Sequence, residues 1–380
     1  GPPRRPAPRR GGPAAYRPRA SGHGLIVRVR PRLARLTADQ ALGLCAAACA
    51  HGSGLIDLTS RANLQLRGVS ADSHQALIDD LWALGLLDAD PALEGRRNIL
   101  VDPCWQAGCD TQRIATALVA RLADLPPLPA KFGFAIDAGS APVLGRASAD
   151  IRVERGASGG LILRADGSDL GCATTAQDAA GAILALARWF AATGGAESGR
   201  MARHLAAHPL PEAFRPAEPP AAPGTLPRPG DGLPGPVYGA AFGRIDAGAL
   251  ARLVSDSGAG ALRVTPARSF VLEGGTPVSG TGFITQPDDP LLRADACPGA
   301  PFCASATVET RALARRLAPV VRGSLHVSGC AQGCARAGAA DVTLTGRDGA
   351  FDLVRGGTAW DAPTVAALAP ARLPDVLGAL

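Results

Sequence analysis

An internal repeat runs through this 380-residue chain and limits the architectures that it can adopt. Residues 51–59 (HGSGLIDLT) correspond to residues 257–265 (SGAGALRVT), and the alignment continues without a gap from 64–68 to 270–274. A repeat of this kind indicates that a whole structural unit is duplicated. We therefore expect a pseudo-twofold molecule with its site between the halves. Chance similarity in a chain rich in Ala and Gly is the alternative.

Strands and helices are predicted to alternate within each half. Residues 25–30 and 55–59 alternate apolar and polar side chains, as half-buried strands do, and Thr37 to Gln40 (TADQ) is typical of a helix start. A further segment of strands and helices follows each repeat. Residues 209–236 are rich in Pro and Gly and lack apolar periodicity, so they predict a linker between the halves.

Composition argues against several functional classes. The net charge of +6 suits an anionic ligand, but no basic run is interleaved with aromatic residues, so nucleic acid is not an expected partner. The longest apolar stretch, residues 179–192, contains Arg188 and is too short to span a bilayer. The first twenty residues lack the apolar core of a secretory signal. Four of the nine cysteines have the spacing of metal-cluster ligands rather than of a disulfide framework, which indicates a reducing compartment. We expect a cytoplasmic protein without a membrane partner.

Four cysteines near the C-terminus form the clearest metal-binding pattern. They are spaced as Cys-x5-Cys, a gap of 26 residues (304–329) and Cys-x3-Cys, at Cys297, Cys303, Cys330 and Cys334. Four thiolates from two loops are the usual ligand set of a [4Fe–4S] cluster, whereas structural zinc sites use pairs two to four residues apart. Gly329 and Gly333 leave bare backbone beside these thiols. The pattern favours a [4Fe–4S] cluster over zinc or unligated thiols.

The single lysine of the chain is a second candidate site residue. Among 39 Lys and Arg residues, only Lys131 is a lysine. Where arginine has replaced lysine everywhere else, the remaining lysine is expected to serve a role that needs a compact ammonium rather than a planar guanidinium. Survival of one lysine by chance is the alternative.

Several motifs together resemble the sirohaem nitrite/sulfite reductase superfamily. They are Thr-Ser-Arg at 59–61, Arg-Asn-Ile-Leu-Val at 97–101, Pro-Ala-Lys-Phe at 129–132 and the cysteine pattern. The sequences of residues 57–68 and 95–103 are most similar to those of the branch of this superfamily that acts on precorrin-3A in aerobic cobalamin biosynthesis. The resemblance implies an α+β protein with a duplicated nitrite/sulfite reductase-like fold, in which two ferredoxin-like half-domains join two α/β domains with pseudo-twofold symmetry.

This resemblance, together with the repeat and the linker, predicts six segments. They are a disordered N-terminus (1–20), ferredoxin-like half-domain 1 (21–90), α/β domain 1 on the tetrapyrrole side (91–208), the Pro/Gly-rich linker (209–236), ferredoxin-like half-domain 2 (237–290) and α/β domain 2 with the iron–sulfur cluster (291–380).

The resemblance also implies which residues line the site. In the reductases, the positions that match Arg61, Arg97 and Lys131 line the anion and tetrapyrrole cavity, so these three are the predicted catalytic and substrate-binding cations. Asn63 and Gln65 are predicted to share one strand face there as neutral donors. Guanidinium groups hold carboxylates through two parallel hydrogen bonds, which suits the acetate and propionate arms of a tetrapyrrole.

Two positions depart from the reductase pattern. Gly133 lies where the reductases usually carry a second lysine, and Ala62 lies where they commonly have glutamine. The sequence therefore retains the expected tetrapyrrole cavity but not the full clamp for a small oxyanion. Cys334 matches the cysteine that bridges cluster and sirohaem in the reductases, and here it is expected to bind the cluster alone.

The implied reaction is an oxygen-dependent monooxygenation. Precorrin-3A is hydroxylated at C20 and a ring A acetate closes a γ-lactone, which gives precorrin-3B. The implied partners are the metal-free tetrapyrrole, O2 and an electron donor, either NADH or a reductase. No sirohaem is expected. The family is also associated with a mononuclear non-haem iron, although no ligand set for it is evident among the six histidines, and His326 fits a packed strand residue.

Two other functions remain open from the sequence. A sirohaem-dependent nitrite or sulfite reductase has the same architecture. An iron–sulfur electron carrier would explain the cysteines, but it does not require the predicted cavity of Arg61, Arg97 and Lys131.

Overall fold

The computed structural model describes residues 14–378 and begins with one unit of strands packed on helices. The elements of half-domain 1 are β1 (Arg19–Ser21), β2 (Gly24–Val29), β3 (Arg35–Thr37), α1 (Ala38–His51), β4 (Leu55–Leu58), β5 (Leu64–Val69) and α2 (His74–Ala83).

The first α/β domain follows directly. Its elements are α3 (Pro91–Arg96), β6 (Ile99–Val101), α4 (Asp110–Ala120), β7 (Phe134–Asp137), β8 (Ile151–Arg155), β9 (Leu161–Ala165), β10 (Cys172–Thr174), α5 (Ala179–Ala192), α6 (Gly195–Ser198) and α7 (Met201–Leu205).

The second half repeats this order. Half-domain 2 contains β11 (Val237–Gly239), β12 (Arg244–Asp246), α8 (Ala247–Ser257), β13 (Ala261–Val264) and β14 (Ser269–Glu273). The second α/β domain contains β15 (Ala294–Ala296), α9 (Arg311–Leu317), β16 (Leu325–Ser328), β17 (Ala340–Arg347), β18 (Ala350–Gly357), β19 (Val365–Leu368) and α10 (Leu373–Gly378).

The two half-domains exchange one strand each. The sheet of half-domain 1 has the order β1-β2-β5-β4-β12, and that of half-domain 2 has the order β11-β14-β13-β3. Strand β12 therefore completes the first sheet although it comes from the second half, and β3 completes the second sheet although it comes from the first. The exchange covers an edge of each sheet that would otherwise expose unpaired backbone groups.

Each exchanged strand leads directly into a capped helix. Thr37 ends β3 and forms a capping box with Gln40 at the start of α1, and Asp246 ends β12 and caps α8. Helix α1 has 14 residues and α8 has 11. This difference of three residues explains why the repeat offset is 209 before the helices and 206 after them. The predicted helix start at Thr37 is confirmed.

The two α/β domains also share one topology. In each, three parallel strands are followed by two antiparallel ones, with the orders β6-β7-β8-β9-β10 and β15-β16-β17-β18-β19. Each domain therefore brings the carboxyl ends of parallel strands to one edge of its sheet. The predicted α+β architecture with duplication is confirmed. No helix among residues 14–378 is long and apolar enough to cross a membrane.

Described parts of both the predicted disordered N-terminus and the predicted linker contact the folded domains. Residues 1–13 of the predicted disordered N-terminus lie outside the described residues, but the prediction is wrong for Arg19 and Ala20, which pair with β2. Ala15 is fully buried in the same region. In the linker, the backbone N–H of Gly171 donates to Glu218, so this segment runs along the first α/β domain.

The strand exchange predicts that the two halves unfold together. Leu36 of β3 is 1% exposed and packs within half-domain 2, whereas Leu233 is 86% exposed. Leu36→Ala should lower the free energy of unfolding by about 2–5 kcal/mol in one cooperative transition, and Leu233→Ala should change it by about 0.5 kcal/mol or less. Chemical denaturation followed by circular dichroism measures both. Two separate transitions in Leu36→Ala would contradict this account.

Candidate active site

One face of the first sheet is polar and the other is apolar. The pairing places Arg28, Gln65, Asp57 and Arg244 side by side across β2, β5, β4 and β12, so their side chains share a face. The intervening residues are buried in the core beside α1. We use the term polar face for the set Arg28, Arg30, Asp57, Asn63, Gln65, Arg67 and Arg244.

The second sheet lacks most of this polarity. Its pairing places Val237 opposite Val271, at the positions that correspond to Arg28 and Gln65 of the first sheet. Gly239 lies opposite Ser269, where the first sheet has Arg30 and Asn63. The pseudo-twofold scaffold therefore carries a concentrated cationic surface in half-domain 1.

Protein groups satisfy only part of the hydrogen-bonding capacity of Arg28 and Arg30. Arg30 donates to the Glu94 backbone carbonyl at 3.2 Å and to its carboxylate at 3.4 Å, but the Nε atoms of Arg28 and Arg30 are buried without a hydrogen-bond partner. Burial, with smaller contributions from Arg30 and Arg61, lowers the pKa of Arg28 to about 10. Arg28 remains positive at neutral pH, and an anion placed on this face would offset the cost of its burial.

A turn after β4 presents Arg61 and Asn63. The Thr59 hydroxyl accepts hydrogen bonds from the backbone N–H groups of Arg61 and Asn63, which explains why this turn begins with threonine. Ala62 adopts a left-handed conformation with φ of 53°. Asn63 is buried and Gln65 is half-buried on β5.

The structure brings Arg61 and Lys131 together. Arg61 donates to the Lys131 carbonyl at 3.0 Å and to the Ser148 hydroxyl at 3.3 Å. Arg200 also donates to Ser148 at 3.1 Å, and burial followed by repulsion from Arg200 lowers the pKa of Arg61. Lys131 is exposed and lies in the turn before β7, at the edge of this cluster.

Arg97 occupies a separate, internal network. It is 4% exposed and donates to the carboxylates of Asp88 at 2.8 Å and Glu94 at 2.7 Å, as well as to the backbone carbonyl of Arg30. Glu94 also accepts from the Arg30 side chain. Arg97 therefore holds the backbone of Arg30 directly and its side chain through Glu94. This geometry gives Arg97 a positioning role for Arg30 of the polar face.

Tight packing explains the glycine at position 133. The backbone N–H of Gly133 donates to Asp150 at 3.0 Å, and a Cβ added at Gly133 would lie 2.8 Å from the amide nitrogen of Asn98. Asn98 in turn donates to the Phe132 carbonyl at 2.8 Å. A lysine at position 133 would displace this side chain.

The cysteine loops leave neighbouring parallel strands. Cys297 follows β15 and Cys330 follows β16, and these strands pair in parallel. The backbone N–H of Gly329 donates to the Cys297 sulfur at 3.1 Å, so the first and second cysteine loops are in contact. Cys303 is half-buried and Cys334 is exposed. Within residues 14–378, no three His, Cys, Asp or Glu side chains are arranged closely enough to hold a metal ion.

Most of the polar face was not predicted from the sequence. The alternation in Val-Arg-Val-Arg (27–30) and Leu-Gln-Leu-Arg (64–67) contains the signal for Arg28, Arg30 and Arg67, because every second residue there is polar. Arg244 has no such local signal, since it comes from the other half of the chain and reaches this sheet through the strand exchange.

Comparison with known proteins assigns this architecture to a class. Residues 17–84 match the family model described as nitrite/sulfite reductase ferredoxin-like half domain. The solved structure of the Mycobacterium tuberculosis NirA protein aligns with a TM-score of 0.65 over 93% of this chain and 79% of that chain, at 17% identity. The fold is therefore that of the nitrite/sulfite reductases.

A curated relative narrows the assignment. The protein from a Sinorhizobium species named precorrin-3B synthase is 34% identical over 392 aligned positions, which cover 93% of this chain and 84% of the relative. The chain belongs to the precorrin-3B synthase family.

The position of Arg97 predicts a structural effect when it is replaced. Arg97→Leu removes the nearest cation of the buried Glu94 and one of the two cations that pair with Asp88, so the free energy of unfolding should fall by about 3–5 kcal/mol. Arg61→Leu, which removes no carboxylate pair, should cost on the order of 1 kcal/mol. Urea denaturation compares the two variants. Equal stability of Arg97→Leu and wild type would show that this network is not structural.

Proposed function

We propose that this protein converts precorrin-3A into precorrin-3B by oxygen-dependent hydroxylation at C20 with closure of a γ-lactone. Membership of the precorrin-3B synthase family supports this reaction. The observation in the structure that supports it most is the polar face, where the Nε atoms of Arg28, Arg30 and Arg244 are buried without a hydrogen-bond partner. A tetrapyrrole with acetate and propionate arms supplies carboxylates for these groups.

The residues of the site have distinct proposed roles. Arg61 and Lys131 lie together at the edge of the polar face and bind carboxylate arms, with Arg28 and Arg30 beneath the ring. Asn63 and Gln65 donate neutral hydrogen bonds. Arg97 acts through Arg30, whose backbone and side chain it helps to fix together with Glu94.

A [4Fe–4S] cluster bound by Cys297, Cys303, Cys330 and Cys334 is part of the proposal. The Gly329 amide 3.1 Å from the Cys297 sulfur fits such a group, because backbone N–H donors stabilise thiolate sulfur. A Cβ at Gly329 would lie 3.5 Å from the same sulfur and 2.6 Å from Ala306, so a bare backbone is required there. When bound, the cluster supplies one-electron transfer.

The proposed reaction balances as a monooxygenation. One atom of O2 enters the C20 hydroxyl group, and the other leaves as water after uptake of two electrons and two protons. The electrons come from a donor, NADH or a reductase. The lactone closes as the carboxyl oxygen of the ring A acetate bonds to the ring carbon next to C20: the carbon–carbon double bond at C20 is the bond that breaks, and the carboxyl proton remains on the new hydroxyl group.

A sirohaem-dependent nitrite or sulfite reductase is the second candidate, because the NirA protein shares the fold. The packing at Gly133 argues for the first candidate: the second lysine that the reductases usually carry would have to displace the Asn98 side chain there.

The cluster proposal predicts a selective effect of cysteine replacement. Cys330→Ser should remove the broad visible absorbance of anaerobically purified protein, because it removes a ligand. Cys45→Ser should keep that absorbance, since Cys45 is buried within α1 and far along the chain from the cysteine loops. Iron and acid-labile sulfide analysis provides the second measurement, with about four of each per cluster in wild type. Zinc without sulfide would contradict the proposal.

The cavity proposal predicts weaker substrate binding without loss of the cluster. Lys131→Ala and Arg61→Ala each remove a charged hydrogen-bond donor, so the affinity for precorrin-3A should fall about ten- to hundred-fold. Titration under anaerobic conditions measures the affinity, and cluster absorbance serves as the control. Wild-type affinity in both variants would show that these charges belong to the surface.

Labelled dioxygen separates the two candidate functions. With precorrin-3A, a reductant and ¹⁸O2, mass spectrometry should find one labelled oxygen atom in the hydroxyl group of the product, and anaerobic incubation should give no conversion. The protein should also purify without sirohaem. Unlabelled product, or co-purified sirohaem together with sulfite turnover, would contradict the synthase function.

A further inference from the structure

The scaffold contains the same charge triad twice. In half-domain 2, Glu273 accepts hydrogen bonds from Arg35 at 2.9 and 3.0 Å and from Arg263 at 2.7 Å. In half-domain 1, Asp57 pairs with Arg67 and with Arg244 at 3.6 Å. The triads occupy corresponding positions, because 57 and 67 become 263 and 273 at the repeat offset of 206, and Arg35 and Arg244 lie on the exchanged strands. The carboxylate and one arginine have exchanged positions: half-domain 1 has Asp57 and Arg67 where half-domain 2 has Arg263 and Glu273.

Protein groups complete the triad of half-domain 2. Arg263 stacks on the Trp105 ring at 4.4 Å and donates to the backbone carbonyls of Trp105 and, at 3.1 Å, Pro103. Both oxygens of Glu273 are paired, and its arginines hold the pKa of this carboxyl at about 2. No further anion is needed at this position.

The triad of half-domain 1 is incomplete. A third cation, Arg311 at the start of α9, donates from its Nε to the Ala296 carbonyl at 3.4 Å and lies within electrostatic range of Asp57, Arg244 and Arg67 as well as Cys297. The Nε of Arg244 and the Oδ1 of Asp57 face each other at 3.6 Å, beyond hydrogen-bond distance, and one terminal nitrogen of Arg311 is buried without a hydrogen-bond partner. Three arginines thus share one carboxylate. Burial lowers the pKa of Arg311 to about 10, so it stays charged at neutral pH.

Space for a ligand lies beside this triad. A cavity of about 170 Å³ is lined by Ser53, Arg67, Arg244 and Phe302, among others. Its volume is several times the roughly 30 Å³ that one water molecule occupies in the liquid. Arg244 also lies 5.5 Å over the Phe302 ring, next to Cys303 in the chain. The cavity therefore joins the polar face to the first cysteine loop.

We propose that Arg67, Arg244 and Arg311 form a second carboxylate-binding site, which holds one arm of the tetrapyrrole substrate beside the loop of Cys297 and Cys303. The inference rests on the proposed function and extends it. The substrate is held at both ends of the polar face, by Arg61 and Lys131 at one end and by this site at the other. Binding at both ends fixes the ring in one register between the two α/β domains, so these arginines determine specificity.

Uroporphyrin III, a stable tetrapyrrole with eight carboxylates, is the probe for this site. Its fluorescence reports binding to the anaerobic holoprotein and requires no turnover. Arg311→Met and Arg244→Met should each weaken binding about ten- to hundred-fold, because each removes a charged donor. Arg311→Lys should recover part of the affinity. Arg35→Met, the replacement that corresponds to Arg244→Met in half-domain 2, is the matched control and should bind as wild type.

Several outcomes would overturn the proposal. One is that Arg311→Met and Arg244→Met bind uroporphyrin III as tightly as Arg35→Met. Another is that inorganic phosphate saturates the wild-type site at submillimolar concentration without displacing the porphyrin, since the site would then hold a free anion. A third is that Arg311→Met loses cluster absorbance and keeps porphyrin affinity, which would assign Arg311 to the cysteine loop. If Arg311→Met does not fold, Arg244→Met and Arg67→Met decide.

The proposed function fails separately from this site. Wild-type protein that does not convert precorrin-3A, while its variants show the predicted loss of porphyrin affinity, would leave the site supported and the reaction wrong. Conversion by wild type with unchanged porphyrin affinity in the variants would support the reaction and contradict the site.

Discussion

The exchange of strands β3 and β12 is the constraint on which the rest of the molecule depends. Each half-domain sheet is complete only when the other half supplies its last strand. The same strands lead into the caps of α1 and α8, so helix position and strand exchange are fixed together. Neither half has a complete sheet on its own. The exchange also places Arg244 of the second half opposite Asp57 of the first, which no arrangement of independent halves would do.

A symmetric scaffold here carries an asymmetric site. Equivalent positions hold Arg28 and Gln65 in one sheet and Val237 and Val271 in the other, although both sheets have the same pairing. In the second sheet, Trp105 packs against Arg263 and occupies the space beside its charges. Only the second α/β domain carries the four cysteines in cluster spacing. The polar face comes mainly from the first half and the cysteine loops from the second, and Arg244 on the exchanged strand contacts Phe302 of the first cysteine loop.

Features encoded by local patterns were predictable from the sequence. The repeat and the capped start of α1 follow from spacing and residue type, the α+β class follows from the family resemblance, and all three are confirmed. The resemblance supplied Arg61 and Lys131, which the structure brings together. Arg97 was also expected in the cavity, but two acidic side chains that lie close to it in sequence, Asp88 and Glu94, bury its guanidinium instead.

Features that depend on long-range contacts were not predictable in this way. Arg244 and Arg311 lie in segments with no motif, and only tertiary structure brings them near Asp57. The N-terminal segment has the composition of a disordered tail, yet Arg19 and Ala20 add an edge strand, because backbone pairing with β2 does not depend on side-chain polarity. Local sequence thus determines the elements, while the exchange of strands determines which charges share a face.

An experimental structure of the anaerobic protein with precorrin-3A bound would test the central claim most directly. The account predicts that the ring lies over β2 and β5, with substrate carboxylates about 3 Å from guanidinium nitrogens of the polar face and one edge of the ring beside the loop of Cys297. A substrate bound elsewhere, with Arg28 and Arg30 out of reach of its carboxylates, would contradict the account.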